Sequence, residues 1–209
     1  MELVVATRNP GKLREIAAIL AELGDAVHVR SLSEYPLVPD VPETGATFEQ
    51  NAVLKARAVG QATGLAALAD DSGLEVDALG GAPGVKSRRI AGSQASDADR
   101  IAWLLQRLEG VPPERRTARF RSVVALGLPH SAGAITTETF HGTCQGRILE
   151  APRGAGGFGY DPVFLVVEFG RSMAELSIEE KNRVSHRARA LHAALPRLAE
   201  LARGATGRS

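Results

Sequence analysis

An intrachain disulfide is excluded at the outset, because the chain has one cysteine, Cys144. That fits a reducing compartment, and Cys144 reads as a quiet, partly buried thiol rather than a nucleophile. Aromatic residues make up 4% of the chain, which argues against a surface that stacks successive bases of single-stranded nucleic acid. Charge of either sign is not in excess: the formal net charge is +1, so no global field draws the protein to nucleic acid or to an anionic membrane. No apolar run approaches membrane-spanning length. The opening Met-Glu-Leu-Val-Val-Ala-Thr lacks the basic segment of a secretory signal. Internal repeats and long low-complexity linkers are also missing. The expectation is a cytoplasmic globular protein with no nucleic-acid or membrane partner. At 209 residues it suits one domain, or one domain with a lobe, over residues 1–203 and a disordered tail at 204–209.

What is present centres on Asp70-Asp71-Ser72-Gly73, which follows the apolar run 65–69. That run reads as a short buried strand, so the two carboxylates are expected at its carboxyl end, where open α/β sheets bind ligands. Adjacent anions repel unless a cation, a proton or hydrogen bonds stabilise them, and hard cations such as Mg²⁺ take carboxylate oxygens. Asp-Ser-Gly is equally ordinary turn chemistry.

The chain opens with another apolar run, Leu3 to Ala6, then Thr7-Arg8-Asn9-Pro10-Gly11-Lys12. A helix follows with Leu13, Ile16, Leu20 and Leu23 on one stripe and Gly24 as its stop. Strand, glycine-containing turn, then helix aims backbone N–H groups at an anion. Lys12 in the first helical turn opposes the macrodipole and makes sense with a negative ligand nearby; the alternative is an exposed lysine after a plain turn.

Val27-His28-Val29 reads as a second strand, and 31–46 as an irregular connection ending in Glu43-Thr44-Gly45. Thr47 and Gln50 match a capping box before a helix with Phe48, Ala52, Ala56 and Val59 inward. Asp97 is placed as the cap of a helix to about residue 109. From Thr117 to Ile148 the pattern becomes period two, predicting two long antiparallel strands joined at Pro129 to Gly133. With the parallel-type units before it, this gives a mixed sheet. The glycine-rich stretch 154–162 brings Phe158 and Tyr160 to a loop where the backbone can approach a ligand and Phe158 can stack on a flat ring. Val163 to Val166 is a further strand, and 174–203 is mostly helical, with Ser177-x-x-Glu180 a capping box and Ser185 a second cap. Lys181, His186 and Arg187 lie near that junction and offer donors to a carbonyl-bearing base.

Taken in order, Thr7 to Lys12, Glu43-Thr44-Gly45, Asp70 to Leu74, Gly80 to Gly84, Gly156 to Pro162, Glu179 to Asn182 and Ser185-His186-Arg187 resemble the Ham1/RdgB-type inosine triphosphate pyrophosphatase family along nearly the whole chain. The resemblance implies an ITPase-like α/β fold: a mixed, partly antiparallel twisted sheet flanked by helices, in two lobes with a central nucleotide cleft. It implies hydrolysis of non-standard purine nucleoside triphosphates (ITP, dITP, XTP, dXTP) to monophosphate and pyrophosphate. By resemblance Asp71 is the proton acceptor, and Glu43 and Asp71, with Asp70 close by, hold at least one Mg²⁺ per subunit. Thr7, Arg8, Asn9, Pro10, Gly11, Lys12 and Ser72 hold the triphosphate and sugar; Phe158, Gly159, Tyr160, Asp161, Lys181, His186 and Arg187 surround the base. A homodimer is also implied. Relatives commonly carry an acidic residue where Gln50 stands, a departure that matters if it tunes a metal shell and not if it is a capping residue.

Overall fold

The computed structural model describes residues 1–130 and 133–206. In chain order its elements are β1 (Glu2–Val5), α1 (Pro10–Leu20), β2 (His28–Ser31), α2 (Phe48–Thr63), β3 (Ala66–Val76), α3 (Asp97–Arg107), β4 (Thr117–Pro129), β5 (Ile135–Ile148), β6 (Phe164–Val166), β7 (Arg171–Ser172), α4 (Ile178–Val184) and α5 (His186–Thr206). The strands form one sheet in the order β2-β1-β3-β4-β5-β6-β7. β1 runs parallel to β2 and β3, whereas β5, β6 and β7 pair antiparallel. The mixed, partly antiparallel α/β sheet expected from the sequence is therefore the fold. Among the described residues no helix is long and apolar enough to cross a membrane.

The chain divides into two compact units. The first comprises Met1–Asp71, Ser122–Gly142 and Arg187–Ser209; the second comprises Ser72–Arg121 and Thr143–His186.

In the first unit, Leu3 and Val5 of β1, Ile16, Ile19 and Leu20 of α1, Leu68 of β3, Val124 and Leu126 of β4, and Leu191 and Leu198 of α5 form one buried cluster. Each such side chain contributes about 1.5–3 kcal/mol when fully buried. α2 lies against the alternate residues of β4: a Cβ on Gly127 would come 2.8 Å from the carbonyl oxygen of Ala56, so that contact requires glycine. Thr47 caps α2 by accepting from the Gln50 N–H, and Gly64 ends it in the left-handed region at φ 68°.

In the second unit, Leu74 and Val76 of β3, Leu104 of α3, Phe120 of β4, Ile148 of β5, Phe164 of β6 and Met173 are buried together. The Phe120 and Phe164 rings lie 4.4 Å apart, centroid to centroid.

Several boundaries differ from expectation for local reasons. β3 does not end at Ala69 but runs through to Val76, so Asp70 and Asp71 lie inside a strand rather than at its end. α1 stops at Leu20, and a tighter 3₁₀ turn carries the chain past Gly24, at φ 54°. The cap of α3 is Ser96, paired with Asp99 in a capping box, and Asp97 is already helical. α5 continues to Thr206, so 204–206 of the expected tail are helical, while 207–209 lie outside the described residues. Of the expected turn between β4 and β5, Ser131 and Ala132 likewise lie outside them.

Candidate active site

Side chains alternate across a strand, so neighbouring Asp70 and Asp71 face opposite sides of β3. Asp70 faces α1 and α5. Its Oδ2 lies 2.6 Å from Lys12 Nζ and 3.3 Å from an Arg187 nitrogen, and its Oδ1 accepts from Ser122 Oγ at 2.5 Å. Arg187, 2% exposed, also pairs with Glu15 of α1. Burial opposes ionisation of Asp70, but Arg187 and Lys12 outweigh it and hold the carboxyl well below the usual carboxylate range. Both oxygens are thus engaged by donors. Asp70 pairs with two cations, Lys12 and Arg187.

Asp71 faces α2. Its Oδ2 accepts from Asn51 Nδ2 at 3.2 Å and its Oδ1 from Lys55 Nζ at 3.0 Å. The same Nζ lies 3.0 Å from Glu43 Oε1 and donates to the Asp70 carbonyl at 3.1 Å. Burial pushes the Asp71 carboxyl up, with Glu43 adding to the rise and Lys55 and Lys12 opposing it. Burial disfavours the charged form of Lys55, yet Asp71 and Glu43 keep its pKa above the ordinary value. The orientation of Asn51 is fixed from behind, since its Oδ1 accepts from the Gly45 N–H at 2.7 Å and leaves Nδ2 for Asp71. Gln50, by contrast, accepts from the Ala46 N–H at 2.7 Å and is exposed. In this chain it ties the loop to the start of α2, which a carboxylate or an amide can do.

Glu43 and Asp71 therefore converge on one positive charge. Among the described residues no group of three or more His, Cys, Asp or Glu side chains is arranged to hold a metal. Mg²⁺ does not need one, because it is commonly held by one or two carboxylates with water and substrate phosphates completing the shell. The pair Glu43 and Asp71 fits such an ion, with the Lys55 ammonium standing where the cation's charge is needed.

The turn before α1 differs from a simple anion cradle. Asn9 Oδ1 accepts from the N–H groups of Gly11 at 2.9 Å and Lys12 at 3.1 Å, and Pro10 has no N–H. The backbone donors expected to face an anion are thus engaged by their own cap. Thr7 Oγ1 accepts from the Asn9 N–H at 3.2 Å, and Arg8 pairs with Asp40 at 2.9 Å and the Val38 carbonyl at 2.7 Å. Lys12 remains the cation of this segment that reaches the Asp70–Asp71 pair. Its ammonium carries three donors, so one bond to Asp70 does not exhaust it.

In the second unit Lys181 Nζ lies 2.7 Å from Asp161 Oδ2 and 4.9 Å from the centroid of the half-buried Phe158 ring. Asp161 Oδ2 also accepts from the Phe158 N–H at 3.0 Å. Tyr160 is buried, its hydroxyl donating to the Ser87 carbonyl at 2.8 Å, so it packs the loop rather than presenting a surface. His186 is buried and stacks on Phe120 at 4.6 Å. Arg187 belongs to the Asp70 group of the first unit. His186 and Arg187 open α5, His186 against Phe120 and Arg187 beside Asp70 and Glu15. Ser72, next in β3, is half-buried.

Four site residues had escaped the sequence reading: Lys55, Asn51, Glu15 and Ser122. A signal was available for two of them. Phe48, Asn51, Ala52, Lys55, Ala56 and Val59 all fall on one helical face, and two polar members in an otherwise apolar stripe mark a face that covers something charged. Glu15 carries no such mark, because its partner Arg187 is 172 positions away.

A mixed α/β sheet bearing paired carboxylates that converge on lysine, with a second lysine at a strand–helix junction, defines a protein built around an acidic and basic centre on its parallel strands. The chain belongs to the Ham1 family, whose model matches residues 3–197. It is 55% identical over 190 residues to the dITP/XTP pyrophosphatase of Geobacillus kaustophilus, covering 91% of this chain and 90% of that one. It is 57% identical over 189 residues to the dITP/XTP pyrophosphatase of Geobacter sulfurreducens, covering 90% and 92%. The structure of a HAM1 protein from Coxiella burnetii superposes with a TM-score of 0.81 at 42% identity, covering 99% of each chain.

Proposed function

We propose that this chain is a Mg²⁺-dependent hydrolase that converts purine nucleoside triphosphates of the dITP and XTP kind to nucleoside monophosphate and pyrophosphate. Membership of the Ham1 family and similarity to dITP/XTP pyrophosphatases support this reading. The observation that carries it is the convergence of Glu43 and Asp71 on Lys55 Nζ, 3.0 Å from each. By the same resemblance the enzyme works in the cytoplasm as a homodimer.

In this reading Glu43 and Asp71 would hold Mg²⁺, which when bound supplies charge neutralisation on the phosphates. Asp71 takes the proton from the water that attacks the α-phosphorus. A buried carboxylate with a raised pKa is a stronger base than an exposed one, and Asn51 and Lys55 fix its orientation. Lys12 and Lys55 supply positive charge as pyrophosphate leaves. Catalysis of this type rests on positioning and electrostatics rather than on covalent chemistry. Phe158 stacks on the purine and Lys181 donates toward the 6-oxo group of hypoxanthine or xanthine, which a 6-amino group cannot match. Arg187 and Asp70 act behind this machinery, as a buried pair that seats Lys12.

Two alternatives make different predictions. A Maf-type pyrophosphatase of similar fold would accept UTP or dTTP, and a non-catalytic nucleotide binder would hold triphosphate without cleaving it. The test is pyrophosphate release from dITP, XTP, dATP, dGTP, dTTP and UTP, with and without EDTA. Preference for dITP and XTP that EDTA abolishes is expected. Equal kcat/KM for dITP and dATP, or full activity in EDTA, would overturn the proposal.

A further inference from the structure

The loop that carries Phe158 is rich in glycine, with Gly157 at φ 72° and Gly159 at φ 63°. Such a segment loses much conformational freedom when it is held in one shape, so presenting a ring in one orientation requires ties. The loop has four. The Gly156 N–H donates to the Ala174 carbonyl at 3.2 Å, the Phe158 N–H to Asp161 at 3.0 Å, the Gly159 N–H to Asp97 Oδ2 at 2.7 Å, and the Tyr160 hydroxyl to the Ser87 carbonyl at 2.8 Å.

The Asp97 tie stands apart. It comes from a carboxylate on another element, 62 positions away, and hydrogen bonds to an ionised acceptor are roughly twice as strong as neutral ones. α3 does not need Asp97 as a cap, because Ser96 and Asp99 already form the box. The second oxygen of Asp97 is also committed: Oδ1 takes an Arg100 nitrogen at 2.5 Å. The other end of that guanidinium donates to the carbonyls of Arg88 at 3.0 Å and Ala95 at 2.5 Å. Asp97 and Arg100 therefore clasp the segment 88–95 to the Phe158 loop, parallel to the link made by Ser87 and Tyr160.

We propose that Asp97 is a positioning residue for base selection: by holding the Gly159 N–H it fixes the loop that presents Phe158 to the purine and that carries Asp161, the partner of Lys181 on α4. The proposal rests on the reading of Phe158 and Lys181 as base contacts. Asp97 itself touches no substrate atom in this scheme.

The experiment compares Asp97→Ala and Asp97→Asn with the wild type, using dITP and dATP. In Asp97→Ala, KM for dITP is expected to rise about tenfold, the scale of one charge-assisted hydrogen bond, with kcat within about twofold. The preference for dITP over dATP should shrink with it. Asn keeps an oxygen acceptor for Gly159, so Asp97→Asn should stay within about threefold of the wild type. A folded Asp97→Ala enzyme with unchanged KM, or an Asn variant as impaired as Ala, would overturn the proposal. Amide hydrogen exchange tests it without any variant: the Gly159 amide of the wild type should be protected, and rapid exchange there refutes the clasp. If the wild type releases no pyrophosphate from dITP, the reading of the reaction fails, while the exchange measurement still decides whether Asp97 holds the loop.

Discussion

Lys12 places its ammonium 2.6 Å from Oδ2 of Asp70, a side chain with no exposed surface. Ion pairs of this kind matter most when they are broken, because the surviving charge is left buried without its counter-ion. Asp70→Asn leaves both Lys12 and Arg187 facing a neutral amide. The expected loss is about 3–5 kcal/mol, or a Tm lower by roughly 6–20 °C. A variant whose Tm stays within about 2 °C of the wild type would show that the pair contributes nothing.

Acid titration gives the same pair a second test. The folded pKa of Asp70 is held below its unfolded value, so its contribution is complete above the unfolded value of about 3.9 and is lost as pH falls through the lower, folded one. The stability difference between wild type and Asp70→Asn should be flat from about pH 7 to 5 and shrink below about pH 4. Chemical denaturation across that range measures it; a difference that grows on acidification contradicts the assignment.

Asp71 has the opposite sign. Its folded pKa is raised, chiefly by burial, so the ionised form costs stability once pH exceeds that value. Asp71→Asn should lose about 10²–10⁴ in kcat, the range for a general base, while Tm is unchanged or rises by about 2–4 °C. Loss of activity together with a falling Tm would mean a structural role instead.

Lys55 pairs with both Glu43 and Asp71, so in the proposed site it would compete with Mg²⁺ for them. Lys55→Met removes the competing charge, and Mg²⁺ should bind the nucleotide-free protein about tenfold more tightly by calorimetry. Unchanged Mg²⁺ affinity would place the ion elsewhere.

Gly45 supports Asp71 through Asn51. A Cβ there would lie 2.7 Å from Asn51 Oδ1 and 2.7 Å from Gln50 Cβ. Gly45→Ala should cost about 1–3 kcal/mol by overpacking and, if Asp71 is the proton acceptor as proposed, lower kcat by turning Asn51 away from it. Gly80→Ala is the control, a surface glycine with open space around it, where strain at φ 61° lowers stability but not kcat. Equal kcat in Gly45→Ala and the wild type would separate Asn51 from the reaction.

The fold was largely legible because its signals are local. Apolar runs marked β1 and β3, the stripes of α1 and α3 repeated at helical spacing, and period two marked β4 and β5. Where boundaries failed, a longer-range interaction decided. An Asp-Asp-Ser-Gly stretch looks like a turn until Lys12, Arg187, Ser122, Asn51 and Lys55 neutralise it, and then a strand can run straight through it. The carboxylates themselves could be read from the sequence, whereas their cations could not, apart from Lys12. Lys55 hides on an apolar helix face, and Arg187 reads as a donor to the base because its partner Glu15 is at the other end of the chain.

The opposite orientation of two consecutive aspartates has a consequence for how the molecule acquires its activity. A one-residue slip of β3 would exchange every inward and outward side chain. It would hand the proposed proton-accepting position to the wrong carboxylate, and at the same moment drive Leu68 out of its apolar nest. The packing that fixes the register of β3 is thereby also what decides which of the two carboxylates faces Lys55 and which faces Lys12.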